Sequence, residues 1–104
     1  MSLFHTLMRF KDEGRIARFE MIESQKAVAT LPNGRAVTVF MSKEYIIGGA
    51  EVQEALTEPA AEFMIYNNWD KLTLSASEDG RRQGLPIMKF GAFGYKLDEL
   101  ADEG

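Results

Sequence analysis

The run Asn67-Asn68-Trp69-Asp70 contains the residue types best suited to binding a ligand. It follows the apolar segment 63–66, so it is predicted to lie where a buried strand ends, the place where open α/β sheets hold ligands. The amides could form hydrogen bonds, and the indole offers a flat surface on which a base could stack. We therefore take this run as the centre of a candidate site.

Basic and polar residues downstream extend this candidate site into a possible nucleic-acid contact surface. The full set of predicted ligand or nucleic-acid contacts is Asn67, Asn68, Trp69, Asp70, Lys71, Thr73, Arg81, Arg82 and Lys89. A structural interpretation stays open beside this one. An asparagine would cap a helix running to about Gln83, Asp70 would favour its first turn, and Trp69 would pack into the core.

Catalytic chemistry has few candidate residues in this chain. The sequence has no cysteine and a single histidine, His5, close to the amino terminus. A thiolate nucleophile is thus excluded, and a Ser-His-Asp relay would depend on His5 alone. The acids Glu51, Glu54 and Glu58 have the spacing of a solvated helix face rather than that of a metal-binding loop. The sequence predicts no enzyme, no metal and no cofactor.

Two glycine-rich steps resemble phosphate loops in composition only. Gly48-Gly49 has no accompanying Lys-Ser/Thr and lies among glutamates, so we expect a break between helical turns. In Gly91-Ala92-Phe93-Gly94 the inner residues are apolar, and Phe93 continues a helical apolar series. This step is predicted to be a corner between a strand and a closing helix.

The order of elements predicts a single α/β domain over residues 4–100. Pro32-Asn33-Gly34 is a strong turn signal between two β-rich segments, and this hairpin is predicted to be part of a three-strand meander. The later apolar segments predict a strand-helix-strand crossover, with helices on the faces of a mixed sheet. The predicted helices are 3–10, a turn at 43–47, 50–57, 67–83 and 92–100; the predicted strands are 15–23, 27–31, 35–41, 63–66 and 87–90. A strand stays open for 3–10, where apolar residues also alternate, and a helix stays open for 15–23.

The chain ends and the amino-acid composition predict the cellular compartment of the protein. Residues 1–3 and 101–104 look like vector remnants or a frayed tail. No apolar run approaches the roughly 20 residues of a membrane-spanning helix, and no signal peptide is visible. With no cysteine for disulfides, a cytoplasmic protein of bacterial or phage type is predicted.

Charge is segregated along the chain although the net charge is only −4. Residues 44–66 contain five glutamates and no base, whereas residues 1–43 contain seven bases and four acids. Two mildly basic segments could therefore share a face, although a mixed solvated surface explains the same pattern.

The run EFMIYNNWDKLTLSASEDGRRQGLPIMKF resembles the strand-helix-strand of Mrr-type enzymes of the restriction-endonuclease-like family. Thr73 with Ala76, followed by Gly84-Leu85, matches that family's pattern. The resemblance implies a nucleic-acid-associated relative. The family's acid and Glu-x-Lys motif are absent from the strands 27–31 and 35–41, so a catalytically inactive member is implied.

The residues together predict a non-enzymatic domain that acts by protein–protein interaction or self-association, as a homodimer. Six methionines and several aromatics suit an adaptable interface. The alternative function is an accessory domain that binds nucleic acid.

Overall fold

The computed structural model describes residues 2–67 and 69–103. The helices are α1 (Leu3–Asp12), α2 (Gly49–Leu56), α3 (Leu74–Gln83) and α4 (Phe90–Asp102). The strands are β1 (Arg18–Glu23), β2 (Lys26–Thr30), β3 (Ala36–Met41), β4 (Ile46–Ile47), β5 (Phe63–Tyr66), β6 (Lys71–Leu72) and β7 (Ile87–Lys89).

Five of these strands form one mixed sheet in the order β1-β2-β3-β5-β7. The first three are antiparallel neighbours, with Ala29 opposite Val37, whereas β3, β5 and β7 run parallel, with Met41 opposite Ile65. The turn between β2 and β3 contains Gly34 at a φ of 91°, a conformation that glycine adopts without steric cost. The predicted meander followed by a crossover is confirmed.

The side chains of the sheet alternate between two apolar layers, as the pleat of a strand requires. Helices α1 and α4 cover one face, where the buried residues include Leu7, Val39 and Phe93. Helices α2 and α3 cover the other face, but this second cluster takes its sheet residues from β3, β5 and β7 only. Over β1 and the later part of β2 the second face is therefore not covered by these helices in the described part of the chain, whereas Lys26 at the start of β2 is buried against the end of α2.

Helices reach close to both ends of the described residues. Leu3 is the first residue of α1 and is 2% exposed, and α4 continues through Asp102. Helix α1 is confirmed and is two residues longer than predicted. No helix among the described residues has both the length and the apolar character needed to cross a membrane.

Two local predictions are wrong. The predicted helical turn at 43–47 is instead the short strand β4, because Ile46 and Ile47 find a partner strand that lies 25 residues later in the chain. The predicted glycine corner at 91–94 lies inside α4, which follows Lys89 directly. Gly94 lets the guanidinium of Arg15 approach α4 closely, since a Cβ at this position would displace it.

Candidate interaction surface

A two-stranded parallel ribbon lies apart from the main sheet and consists of β4 and β6. Ile46 pairs with Lys71, and Ile47 pairs with Leu72. The backbone N–H of Lys71 donates to the carbonyl of Tyr45 at 2.8 Å. Ile47 is fully buried in the cluster beneath α2 and α3, so it anchors the ribbon to the domain.

Four large apolar side chains on or beside this ribbon are exposed to solvent. We call them the ribbon patch: Tyr45 at 57% exposure, Ile46 at 60%, Trp69 at 57% and Leu74 at 73%. Because the two segments are hydrogen-bonded neighbours, residues from both ends of a 30-residue stretch lie near each other in the fold. Large exposed apolar side chains on neighbouring segments are a common feature of interaction sites.

Of the two interpretations of this run, the one in which Trp69 starts a helix and packs into the core of the domain is wrong, since Trp69 is exposed. Helix α3 begins at Leu74, and its cap is Thr73, whose Oγ1 accepts from the N–H of Ala76 at 3.1 Å. The same hydroxyl donates to the carbonyl of Ile47 at 2.8 Å, so the start of α3 is tied to β4. Residues 71–72 are therefore held in the ribbon and are not free to extend the helix toward Trp69.

Asn67 and Asp70 form a buried polar pair at the end of β5, 6% and 8% exposed respectively. The amide Nδ2 of Asn67 donates to the carboxylate Oδ2 of Asp70 at 3.3 Å, and the N–H of Asp70 donates to the carbonyl of Asn67 at 3.0 Å. No donor in the described residues reaches Oδ1 of Asn67, which is itself buried. The pair therefore links the end of β5 to the residue that follows Trp69.

The predicted contact residues do not all lie together. Asn67, Trp69, Asp70, Lys71 and Thr73 lie at the carboxyl end of the parallel strands, around the start of the ribbon. Asn68 lies outside the described residues.

The remaining predicted contacts are divided between two ends of the sheet. Lys89 is opposite Tyr66 at the carboxyl end of β7. Arg81 and Arg82 are in the last turn of α3, about 12 Å from Thr73 along the helix axis at 1.5 Å per residue. Arg82 is paired with Asp79. A basic rim that joins both arginines to Trp69 is not formed.

The donors at the Gly48-Gly49 step are directed at the chain's own carboxylates. The N–H of Gly48 donates to Oε2 of Glu51 at 2.8 Å. A Cβ on Gly49 would lie 3.0 Å from Oδ2 of Asp79, which places this carboxylate beside the amino terminus of α2. The carboxylates of Glu51 and Asp79 thus supply the negative charge that the amino terminus of α2 favours. Gly48-Gly49 joins β4 to α2.

A second group of charged side chains surrounds a cavity of about 220 Å³ between α1 and α4. Arg9 lies 3.2 Å from Glu13, and Arg15 lies 3.5 Å from Asp98. The guanidinium of Arg15 is also placed over the ring of Tyr95, 5.3 Å from its centroid. Arg15 thus links the end of α1 to α4, whereas the Arg9 pair lies within α1 and its C-cap.

Within the described residues, no group of three or more acidic or histidine side chains is arranged to hold a metal ion. Comparison with models of protein families, with curated proteins and with solved structures returned no significant match.

The ribbon patch was missed in the sequence because its strands are two residues long. Such short segments lack the alternation that identifies a strand. The one available signal was the pair of adjacent β-branched residues Ile46-Ile47 beside Tyr45.

Proposed function

We propose that this protein is a non-catalytic interaction domain that binds a second protein through the ribbon patch. The observation that carries the proposal is the exposure of Tyr45, Ile46, Trp69 and Leu74 on two hydrogen-bonded segments. Aromatic and large aliphatic side chains of this kind supply most of the binding energy in protein interfaces.

The charges beside the patch define the chemistry of the partner. Glu44 adjoins Tyr45, and α2, which follows β4 directly, exposes Glu54 with Glu58 just beyond it. The exposed bases Lys43 and Lys71 also flank the patch, but the five glutamates of residues 44–66 outnumber them. A second copy of this chain would bring the same acids against each other, so the occupant is a different protein. Its binding segment is apolar and flanked by lysine or arginine.

The patch contains the only tryptophan of the chain, so binding can be followed by its emission. The probes are two synthetic peptides with the same leucine pattern, one with lysine and one with glutamate at the polar positions. We expect a saturable blue shift of Trp69 emission with the lysine peptide and at least tenfold weaker binding of the glutamate peptide.

Two charge-matched variants locate the interaction. Ile46→Glu places a charge in the patch and should abolish the shift, whereas Tyr95→Glu changes an exposed aromatic on α4 and should leave it unchanged. Equal binding of both peptides, or equal loss in both variants, would overturn the proposal.

A second candidate function is single-stranded nucleic-acid binding by an inactive nuclease-like domain. The observation favouring it is the exposed indole of Trp69 two residues before the exposed Lys71, a stacking surface beside a base. A gel shift at low salt with a single-stranded oligonucleotide tests it. Binding that is lost in Trp69→Ala and weakens with salt would support this function in place of the first.

The absence of cysteine from the sequence supports the further proposal that the protein acts in the cytoplasm.

A further inference from the structure

Strand β1 is an edge of the main sheet, and in the described part of the chain no strand pairs with its outer side. The opposite edge, β7, has only three residues and leads directly into α4. A long open edge is a template for a further strand. β1 is therefore the place where this sheet can be extended.

The two faces of β1 differ in chemistry. Phe19 lies on the α1 side, where its ring contacts Phe4 edge-to-face at 5.6 Å, and Phe4 is 47% exposed. Arg18 and Glu20 lie on the other side and line a cavity of about 270 Å³ that α2 and α3 do not cover. The edge thus carries an aromatic pair on one face and two opposite charges on the other.

We propose that a second copy of this chain adds to this edge, with the two β1 strands antiparallel and a two-fold axis at Phe19. In this register Arg18 faces Glu20 of the second copy, and the same pair recurs by symmetry. On the α1 side the two Phe19 rings lie opposite each other, with Phe4 beside each. Directly opposed side chains in antiparallel strands are close enough for both contacts.

Neighbouring registers are disfavoured by charge or by geometry. A two-fold axis perpendicular to the sheet keeps each face of the sheet on the same side in both copies. Residues that oppose each other across the edge must then lie on the same face, so the axis passes beside one residue of β1 and not between two. Centring on Arg18 or on Glu20 opposes like charges. Centring on Met21 leaves Glu20 facing Ile22 and crosses the irregularity in β1 between Met21 and Glu23. The register at Phe19 is the one that pairs opposite charges.

Charge reversal tests the register directly by sedimentation velocity over a range of concentrations. Arg18→Glu and Glu20→Arg each create two like-charge contacts and should weaken the dimer at least tenfold. In an equal mixture of the two variants every contact is attractive again, so a heterodimer should form within about threefold of the native affinity.

Matched control variants make the same two charge reversals at positions away from β1. Arg81→Glu and Glu78→Arg alter exposed residues of α3 and should leave the dimer unchanged, as should Ile46→Glu in the ribbon patch. The circular dichroism of each variant checks that it is folded.

The proposal is overturned if the native chain stays monomeric up to about 0.5 mM. It is also overturned if the single variants dimerise like the native chain, or if their mixture fails to form a heterodimer. Because the dimer edge and the ribbon patch are separate surfaces, either proposal can fail while the other stands.

Discussion

The ammonium group of Lys26 donates a hydrogen bond of 2.7 Å to the backbone carbonyl of Thr57, and the lysine is only 1% exposed. The carbonyl of Glu54 lies 3.5 Å from the same nitrogen. A lysine at the start of β2 therefore closes the carboxyl end of α2, where helix carbonyls lack partners and the helix dipole favours positive charge. This contact ties the second helical layer to the meander.

Replacing this lysine by an apolar residue of similar length tests the contact. Lys26→Met should lower the free energy of unfolding by about 1–3 kcal/mol, because the carbonyl of Thr57 loses its charged donor in a part-buried contact. Urea denaturation measures the change. Lys43→Met, at an exposed position, should stay within about 0.5 kcal/mol of the native protein. Equal effects in the two variants would contradict the structural role of Lys26.

Two helical glycines should respond to alanine with opposite signs. A Cβ on Gly80 would overlap Ile87 and come within 3.1 Å of the carbonyl oxygen of Leu85, so Gly80→Ala should destabilise by about 1–3 kcal/mol. A Cβ on Gly91 meets nothing within 4 Å, so Gly91→Ala should stabilise α4 by up to about 1 kcal/mol. Thermal unfolding of both variants gives the comparison. If both substitutions stabilise the protein, the close packing of α3 against β7 at Gly80 is wrong.

The cap of α3 is expected to depend on Thr73 and not on the asparagine run. Thr73→Ala removes the bond to the N–H of Ala76 and the bond to the carbonyl of Ile47, so it should cost about 1–2 kcal/mol. Thr57→Ala provides the control, because its hydroxyl bonds only to the exposed carbonyl of Gln53 within one turn. Chemical denaturation distinguishes the two. A neutral Thr73→Ala would mean that α3 starts elsewhere.

Trp69 is expected to contribute little to stability. Trp69→Ala should change the free energy of unfolding by less than about 0.5 kcal/mol, and acrylamide should quench its native emission readily. Phe93→Ala, at a fully buried position between α4 and the sheet, should cost about 3–5 kcal/mol. A large loss of stability in Trp69→Ala would instead support the alternative in which the indole packs into the core.

Much of the sheet could be predicted because its strands are long enough to show a pattern. The hairpin is identified by Pro32-Asn33-Gly34, and the segment 63–66 by its uninterrupted apolar character, since both faces of β5 are covered. The candidate site was predicted less well. Asn67 and Asp70 carry the composition of a helix start, yet they pair with each other in a buried turn.

The sequence by itself determined the class of the fold, the antiparallel-then-parallel order and the lack of cysteine chemistry, because these depend on local residue types and periodicity. Only the tertiary structure decided which large apolar side chains are exposed to solvent. Ile46 and Trp69 are residue types typical of a core, but both side chains are exposed where β4 pairs with β6, a strand that lies 25 positions later in the chain. Such pairing rests on contacts between distant segments, which no local pattern encodes.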